Sequence, residues 1–219
     1  MSSSIETRLI DLKQRIAAAA ERSGRQAQSI TLVAVTKGRP ASDVRVLYDL
    51  GVRHFGENRI PEAESKIATL PGDIVWHMIG NLQRRKAAAA VRLFQRIDSV
   101  DRAELAEILN RKAKEEGKVL DVLVEVNVSG ESSKHGVEPA ALPKVMDLAL
   151  TLPNIRVRGL MTMAPLTDDE KLIRSTFIGL QQLTRSNDLP IASMGMTSDF
   201  EIAIEEGATE VRVGSALFE

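Results

Sequence analysis

The chain has 219 residues, 43% of them apolar, with 29 basic and 30 acidic side chains and no cysteine. Such a length and composition suit one globular domain with a sizeable core and exclude a disordered chain. The near-zero net charge argues against non-specific nucleic-acid binding, and the lack of cysteine excludes disulfides, thiolate nucleophiles and Cys-based metal sites.

The chain opens with a predicted helix over 3–23, in which Ser3 and Glu6 form a capping box and Ile5, Leu9, Leu12 and Ile16 make one apolar face. This start is polar and amphipathic, unlike a signal peptide, and no run of about 18 apolar residues occurs, so a soluble cytoplasmic protein without a membrane partner is expected. Ser29–Pro40, SITLVAVTKGRP, reads as a buried parallel strand stopped by Gly38 and Pro40, with Lys37 at its carboxyl end. A helix over 42–50, a strand over Val52–Phe55 and a helix over 59–69 come next. Strand Ile74–Ile79, helix 81–92, strand Phe94–Val100 and helix 101–116 succeed them, the last with a second box, Asp101 to Glu104. The fifth strand, Val119–Ser129, is the longest, and Glu125, Asn127 and Ser129 alternate along it with valines. Beyond it lie helix 138–151, strand Ile155–Met163, helix 168–185 boxed by Thr167 and Glu170, strand Ile191–Gly195, helix 199–206 boxed by Ser198 and Glu201, and strand Glu210–Val213. Eight alternating βα units predict one α/β domain over 1–219, a closed (β/α)8 TIM-type barrel with an extra N-terminal helix. A doubly wound open sheet is the runner-up. Neither GxGxxG nor GxxxxGK[ST] is present, so both nucleotide loops are absent.

In a barrel, ligands sit at the carboxyl ends of the strands. Lys37 there is either a lysine snorkelling to solvent or an amine desolvated enough to attack a carbonyl. The seventh strand ends in Ser193-Met194-Gly195-Met196-Thr197-Ser198, and the eighth in Arg212-Val213-Gly214-Ser215. Glycine-hydroxyl pairs on these two consecutive strands, ahead of a helix N-terminus, suit a phosphate. Arg212, between two valines, faces the interior and needs an acceptor, which Glu125, Glu210 or a ligand atom would supply. An amine opposite a phosphate cup fits a small phosphorylated aldehyde. Pyridoxal 5′-phosphate (PLP) is the commonest, and a sugar-phosphate aldolase with a Schiff-base lysine is the competing reading. His54, His77 and His135 lie far apart in the chain without HExxH spacing, so no zinc site is expected. His77 reads as a core histidine bonded to backbone, and Arg84, Arg85 and Lys86 read as a solvated helix face. Lys134 and His135 lie in a loop that is either exposed or a lid.

The segments LVAVTKGRPA, FGEN, WHMIGNLQRRK, IDSVDR, EVNVSGESSKHGV, RGLMTMAP and SMGMTSDFEIAIEEGATEVRVGSALF span nearly the whole chain. As a set they closely resemble the pyridoxal phosphate homeostasis protein family, whose barrel is that of the alanine racemase N-terminal domain. The resemblance implies that PLP is bound covalently as an aldimine to Lys37, with Asn58 near the ring. Ser193, Gly195, Met196, Thr197, Gly214 and Ser215 would hold the phosphate, several through backbone N–H groups. Arg212 would face the pyridine nitrogen, where an always-protonated guanidinium weakens the ring as an electron sink. Arg85 and Ser198 depart from the family pattern, and the chain stops soon after Phe218.

The implied function is that of a PLP carrier or buffer supporting vitamin B6 and amino-acid balance, without robust turnover, with PLP-requiring apoenzymes as recipients and a monomer as the expected state. A PLP-dependent racemase is the alternative. It needs a second acid or base opposite the lysine, and the single tyrosine, Tyr48, falls on the helix after the first strand.

Overall fold

The computed structural model describes residues 2–131 and 134–219, with the backbone alone for Ser2 and Ser3. The leading helix α1 spans Ser2–Arg22. Strands and helices then alternate as β1 (Thr31–Val35), α2 (Ala41–Asp49), β2 (His54–Glu57), α3 (Ile60–Ile67), β3 (Val75–Met78), α4 (Ala87–Leu93), β4 (Arg96–Val100) and α5 (Ala103–Glu115). The second half runs β5 (Leu120–Glu125), α6 (Leu142–Leu150), β6 (Ile155–Met161), α7 (Glu170–Ser186), β7 (Ile191–Ser193), α8 (Phe200–Glu205), β8 (Glu210–Val213) and α9 (Ser215–Phe218). Among the described residues, eight strands pair in sequence order and β8 closes in parallel on β1, from Thr31↔Glu210 to Ala34↔Val213. The closed barrel rules out the open sheet.

Apolar side chains fill the layer between strands and helices, where Phe55, Phe94, Phe177 and Phe200 are fully buried. The Ile5, Leu9, Leu12 and Ile16 stripe of α1 is buried where that helix crosses α2, α8 and α9. It therefore covers the seam between the last and first βα units. Arg15 and Arg22 of α1 pair with Glu201 and Glu205 of α8 on the outside of this seam.

The amino-terminal half of the barrel interior is polar. Arg96 on β4 donates to both oxygens of Asp98 (2.6 and 2.9 Å) and reaches across to Glu210 on β8 (2.6 Å). Those strands are not neighbours, so the contact runs through the barrel. His77 Nδ1 lies 3.2 Å from Asp98 Oδ2 and its Nε2 lies 3.0 Å from His54 Nδ1. A carboxylate only accepts, so the His77 Nδ1–H donates to Asp98, and its Nε2 shares a hydrogen bond with His54 Nδ1. Burial works against the charge on Asp98, but Arg96 and His77 outweigh it and hold the carboxyl below its ordinary range. Burial, with the positive field of its neighbours, drops the His54 imidazole to about 4.

Several local expectations are corrected. His77 bonds to Asp98 and His54, side chains brought in from neighbouring strands, and not to backbone. The fifth strand stops at Glu125, because Asn127 turns its side chain onto the Glu131 carbonyl and the Gly130 N–H. Of the three alternating polar residues, only Glu125 therefore stays in the sheet. Three capping pairs shift. The residues before α5, α7 and α8 are Arg102, Asp169 and Asp199, not Asp101, Thr167 and Ser198, and Asp169 alone caps through its side chain. Asp101 is drawn away to Arg102 and Asn81. The pair Ser3–Glu6 rests on a side chain outside the described residues, as do Ser132 and Ser133 of the loop after β5. Arg84, Arg85 and Lys86 are exposed, but on a 3-10 turn that precedes α4.

Candidate cofactor site

A cavity of about 430 Å³ opens at the carboxyl ends of the strands. Its lining comes from loops at opposite ends of the chain. Lys37 and Arg39 lie just past β1, Asn58 lies just past β2, and Met161 and Met163 lie at the end of β6. Met196, Thr197 and Ser198 come from the β7–α8 loop, and Arg212, Gly214 and Ser215 from β8 and the turn into α9. Seven of the nine sequence-selected residues, Lys37, Asn58, Met196, Thr197, Arg212, Gly214 and Ser215, thus line one cavity. Ser193 and Gly195 lie behind it. Lys37 is exposed at the mouth, so its amine reaches solvent and the cavity alike, and the desolvation imagined from the strand is not there.

Arg212 is buried (4% exposed) and donates to Ser193 Oγ and the Thr162 carbonyl, both at 2.8 Å. Neither carboxylate suggested as its partner bonds to it. Glu210 is taken by Arg96, and Glu125 acts only through its field. Burial lowers the basicity of Arg212 against the pull of Glu210, Asp98, Glu125 and Asp199. Burial likewise pushes Glu125 up to about 7, helped by Asp101 and opposed by Arg212.

The β7–α8 and β8–α9 loops meet where Ser215 Oγ donates to Thr197 Oγ1 (3.1 Å). The Met196 N–H is occupied by Asp199 Oδ1 (2.6 Å), but those of Thr197, Ser198 and Ser215 have no acceptor among the described residues. Two hydroxyls and three free N–H groups make a cup that an anion would fill. Because α8 has six residues, these local donors matter more than a helix dipole. Gly195 has φ +92°, and a Cβ there would come within 2.5 Å of Ala203 Cβ and 2.9 Å of Phe200 Cα. Its role is to seat α8 beneath the loop. Gly214 passes the Val35 carbonyl, 3.3 Å from where a Cβ would stand.

Residues 8–219 match the family described as alanine racemase, N-terminal domain. The pyridoxal phosphate homeostasis protein of Aquifex aeolicus is 40% identical over 218 residues, covering 96% of each chain. The chain belongs to the pyridoxal phosphate homeostasis protein family. A Bifidobacterium adolescentis crystal structure superposes with TM-score 0.94 at 37% identity, covering 99% of this chain and 95% of that one. PipY of Synechococcus elongatus, solved with PLP bound, superposes with TM-score 0.85 at 35% identity, covering 98% of this chain and all of that one.

For a member of the homeostasis family, the residues present suit PLP. Among the described residues, the Asn58 Oδ1 is buried on the cavity without a hydrogen-bond partner. It would accept from a ligand donor. Gly80 lets the chain pass close against the Asn58 backbone, since a Cβ at residue 80 would lie 2.6 Å from the Asn58 carbonyl oxygen. Sequence reading missed Gly80, taking it as a strand stop, and missed Arg39, Ile79, Met161, Met163 and Phe218 as lining. The pattern x-Lys-Gly-Arg-Pro put Arg39 within two residues of the lysine and was the available signal. Tyr48 is in the outer layer, its hydroxyl donating to Asp73 (2.7 Å) and its ring under Arg53. In the described part of the loop after β5, Lys134 donates to the Met163 carbonyl (3.1 Å), while His135 is exposed. Among the described residues, His77, Asp98 and Glu210 bring ligand-type atoms within 4.8 Å of one another, but the Arg96 guanidinium already binds both carboxylates there. Among the described residues, no helix is long and apolar enough to cross a membrane.

Proposed function

We propose that this chain binds pyridoxal 5′-phosphate and carries or buffers it for PLP-requiring apoenzymes, without robust turnover of its own. The observation that carries this reading is that Lys37 and the Thr197–Ser215 cup line one cavity. The family of homeostasis proteins and the PLP-bound PipY relative support it.

When bound, PLP supplies a reactive aldehyde and an aromatic ring able to withdraw electrons. Lys37 supplies the amine for covalent attachment. Thr197 and Ser215 hydroxyls and the free N–H groups of their loops hold the phosphate. Arg212, fixed by Ser193 and the Thr162 carbonyl, presents a guanidinium that keeps a facing ring nitrogen unprotonated, which disfavours carbanion chemistry. Asn58 accepts from the ligand edge. Tyr48 does not line the cavity, which favours carriage over racemisation, a reaction that needs a second acid or base there. We infer a monomeric, cytoplasmic protein.

The test is to mix purified protein with PLP, reduce with borohydride and map the modified peptide. Attachment at Lys37, lost in a folded Lys37→Ala variant, is the expected result. Attachment elsewhere, or none, overturns the reading.

A further inference from the structure

Behind Lys37, helix α3 makes two contacts with the loop that carries it. Lys66 Nζ donates to the Thr36 carbonyl at 2.6 Å, and Glu62 Oε2 accepts from the Gly38 N–H at 3.1 Å. The first grips the peptide group just before Lys37 and the second the peptide group just after it. Glu62 and Lys66 are four residues apart, one turn of α3, so both point the same way from the helix. The rest of the fixture is buried. Glu57 Oε1 accepts from Lys66 Nζ (2.5 Å) and from Thr36 Oγ1 (2.6 Å), and Thr36 and Glu57 are fully buried.

We propose that Glu62 and Lys66 form a two-pronged clamp that positions Lys37 for covalent capture of the cofactor aldehyde. The clamp rests on the PLP reading of the cavity.

Three observations favour a positioning role over a merely structural one. A buried Lys–Glu pair gains little net stability over a packed apolar pair, because both charges are desolvated. Its direction is what a packed pair would lack, for Lys66 spends a second donor on a main-chain oxygen that already accepts from the Arg39 N–H. Gly38 has φ +71°, so the turn after Lys37 adopts a conformation that needs an external hold or a glycine, and here it has both. The Gly38 N–H in turn holds the Glu62 carboxyl below its ordinary range. With both flanking peptide groups held, side-chain torsions are the main freedom left to the Lys37 amine.

In the capture step the unprotonated Lys37 amine gives its lone pair to the aldehyde carbon. A C=N bond replaces the C=O bond, and the aldehyde oxygen leaves as water with the two amine protons. The clamp acts on this step alone, since its residues do not touch the phosphate cup.

The test compares wild type with Glu62→Ala and Lys66→Met, using PLP and pyridoxine 5′-phosphate, which has the same phosphate and ring but an alcohol in place of the aldehyde. Expected in folded variants is a loss of PLP affinity on the order of tenfold, with slower borohydride-trapped incorporation at Lys37, while pyridoxine 5′-phosphate affinity is unchanged. Amide exchange at Gly38, measured without any ligand, is expected to speed up in Glu62→Ala. Equal weakening of both ligands, or unchanged PLP capture, overturns the clamp, as does unaltered Gly38 exchange. Failure of wild type to take up PLP at Lys37 overturns the parent reading instead, and the Gly38 exchange still decides whether α3 orders the loop.

Discussion

Arg212 on β8 donates to Ser193 Oγ on β7 at 2.8 Å, and both side chains are buried beneath the two loops of the proposed phosphate cup. The hydroxyl is the only side-chain partner of the guanidinium among the described residues. Removing it leaves a buried guanidinium with the Thr162 carbonyl as its remaining partner. Ser193→Ala is therefore expected to destabilise the fold by about 1–3 kcal/mol. Urea denaturation at neutral pH checks this. An unchanged midpoint would mean that another acceptor replaces Ser193.

Gly195 carries a sharper penalty. Its φ of +92° disfavours any side chain, and an added methyl group would meet the backbone of Phe200. Gly195→Ala is expected to lower stability by about 2 kcal/mol or more and to weaken binding of pyridoxine 5′-phosphate, because α8 must shift under the cup. Calorimetry and fluorescence titration would read the two effects. Full retention of both would show that α8 slides freely.

Glu125 predicts a pH dependence. Its carboxyl is raised to about 7, chiefly by burial, so the native state holds a proton that the unfolded chain has released. The associated stability is complete below pH 4.5 and is lost as pH rises through 7. Glu125→Gln keeps the shape without the charge and is expected to be more stable than wild type at pH 8, by up to about 3 kcal/mol, with the gap closing by about pH 4.5. Thermal melts across that range test it, and a constant gap would contradict the assignment.

Arg96 works in the opposite sense. Arg96→Met leaves Asp98 and Glu210 buried without their counter-charge, at a cost of roughly 3–5 kcal/mol near neutral pH. In wild type the depressed Asp98 carboxyl means that stability falls as acid protonates it. In the variant the buried Asp98 carboxylate loses its main counter-charge, so the deficit relative to wild type is expected to shrink in mild acid. Denaturation of variant and wild type side by side at about pH 7 and pH 5 would show the gap narrowing. A gap that stays constant would place the charge balance elsewhere.

How far the fold was legible depends on where its determinants lie. The strand Glu210–Val213 and the order of βα units come from local pattern, since apolar runs bounded by glycine and proline suffice to place them. Cap positions slipped at Asp101, Thr167 and Ser198 because each has another polar or charged residue close by, and geometry chose between them. Val52–Phe55 slipped to His54–Glu57 because Gly56 looks like a stop yet sits in the ladder opposite His77. The cavity residues Lys37, Thr197, Arg212 and Ser215 were legible because barrels place ligands at known strand ends. The His54–His77–Asp98–Arg96–Glu210 network was not, since closing the barrel is what brings five separated side chains together. Lys66 was hidden for the same reason. On the sequence it is one of many helical lysines, and only the fold sets it under the Thr36 carbonyl.

The pairing of β8 with β1 has a consequence for the moment at which the protein becomes competent. Lys37 belongs to the first βα unit, while Arg212, Gly214 and Ser215 belong to the last. On the ribosome Lys37, the proposed attachment lysine, emerges long before the groups proposed to grip the phosphate. A nascent chain can expose the amine but cannot retain the ligand until its final strand has docked. On the proposed reading, retention of the cofactor would thus report completed closure.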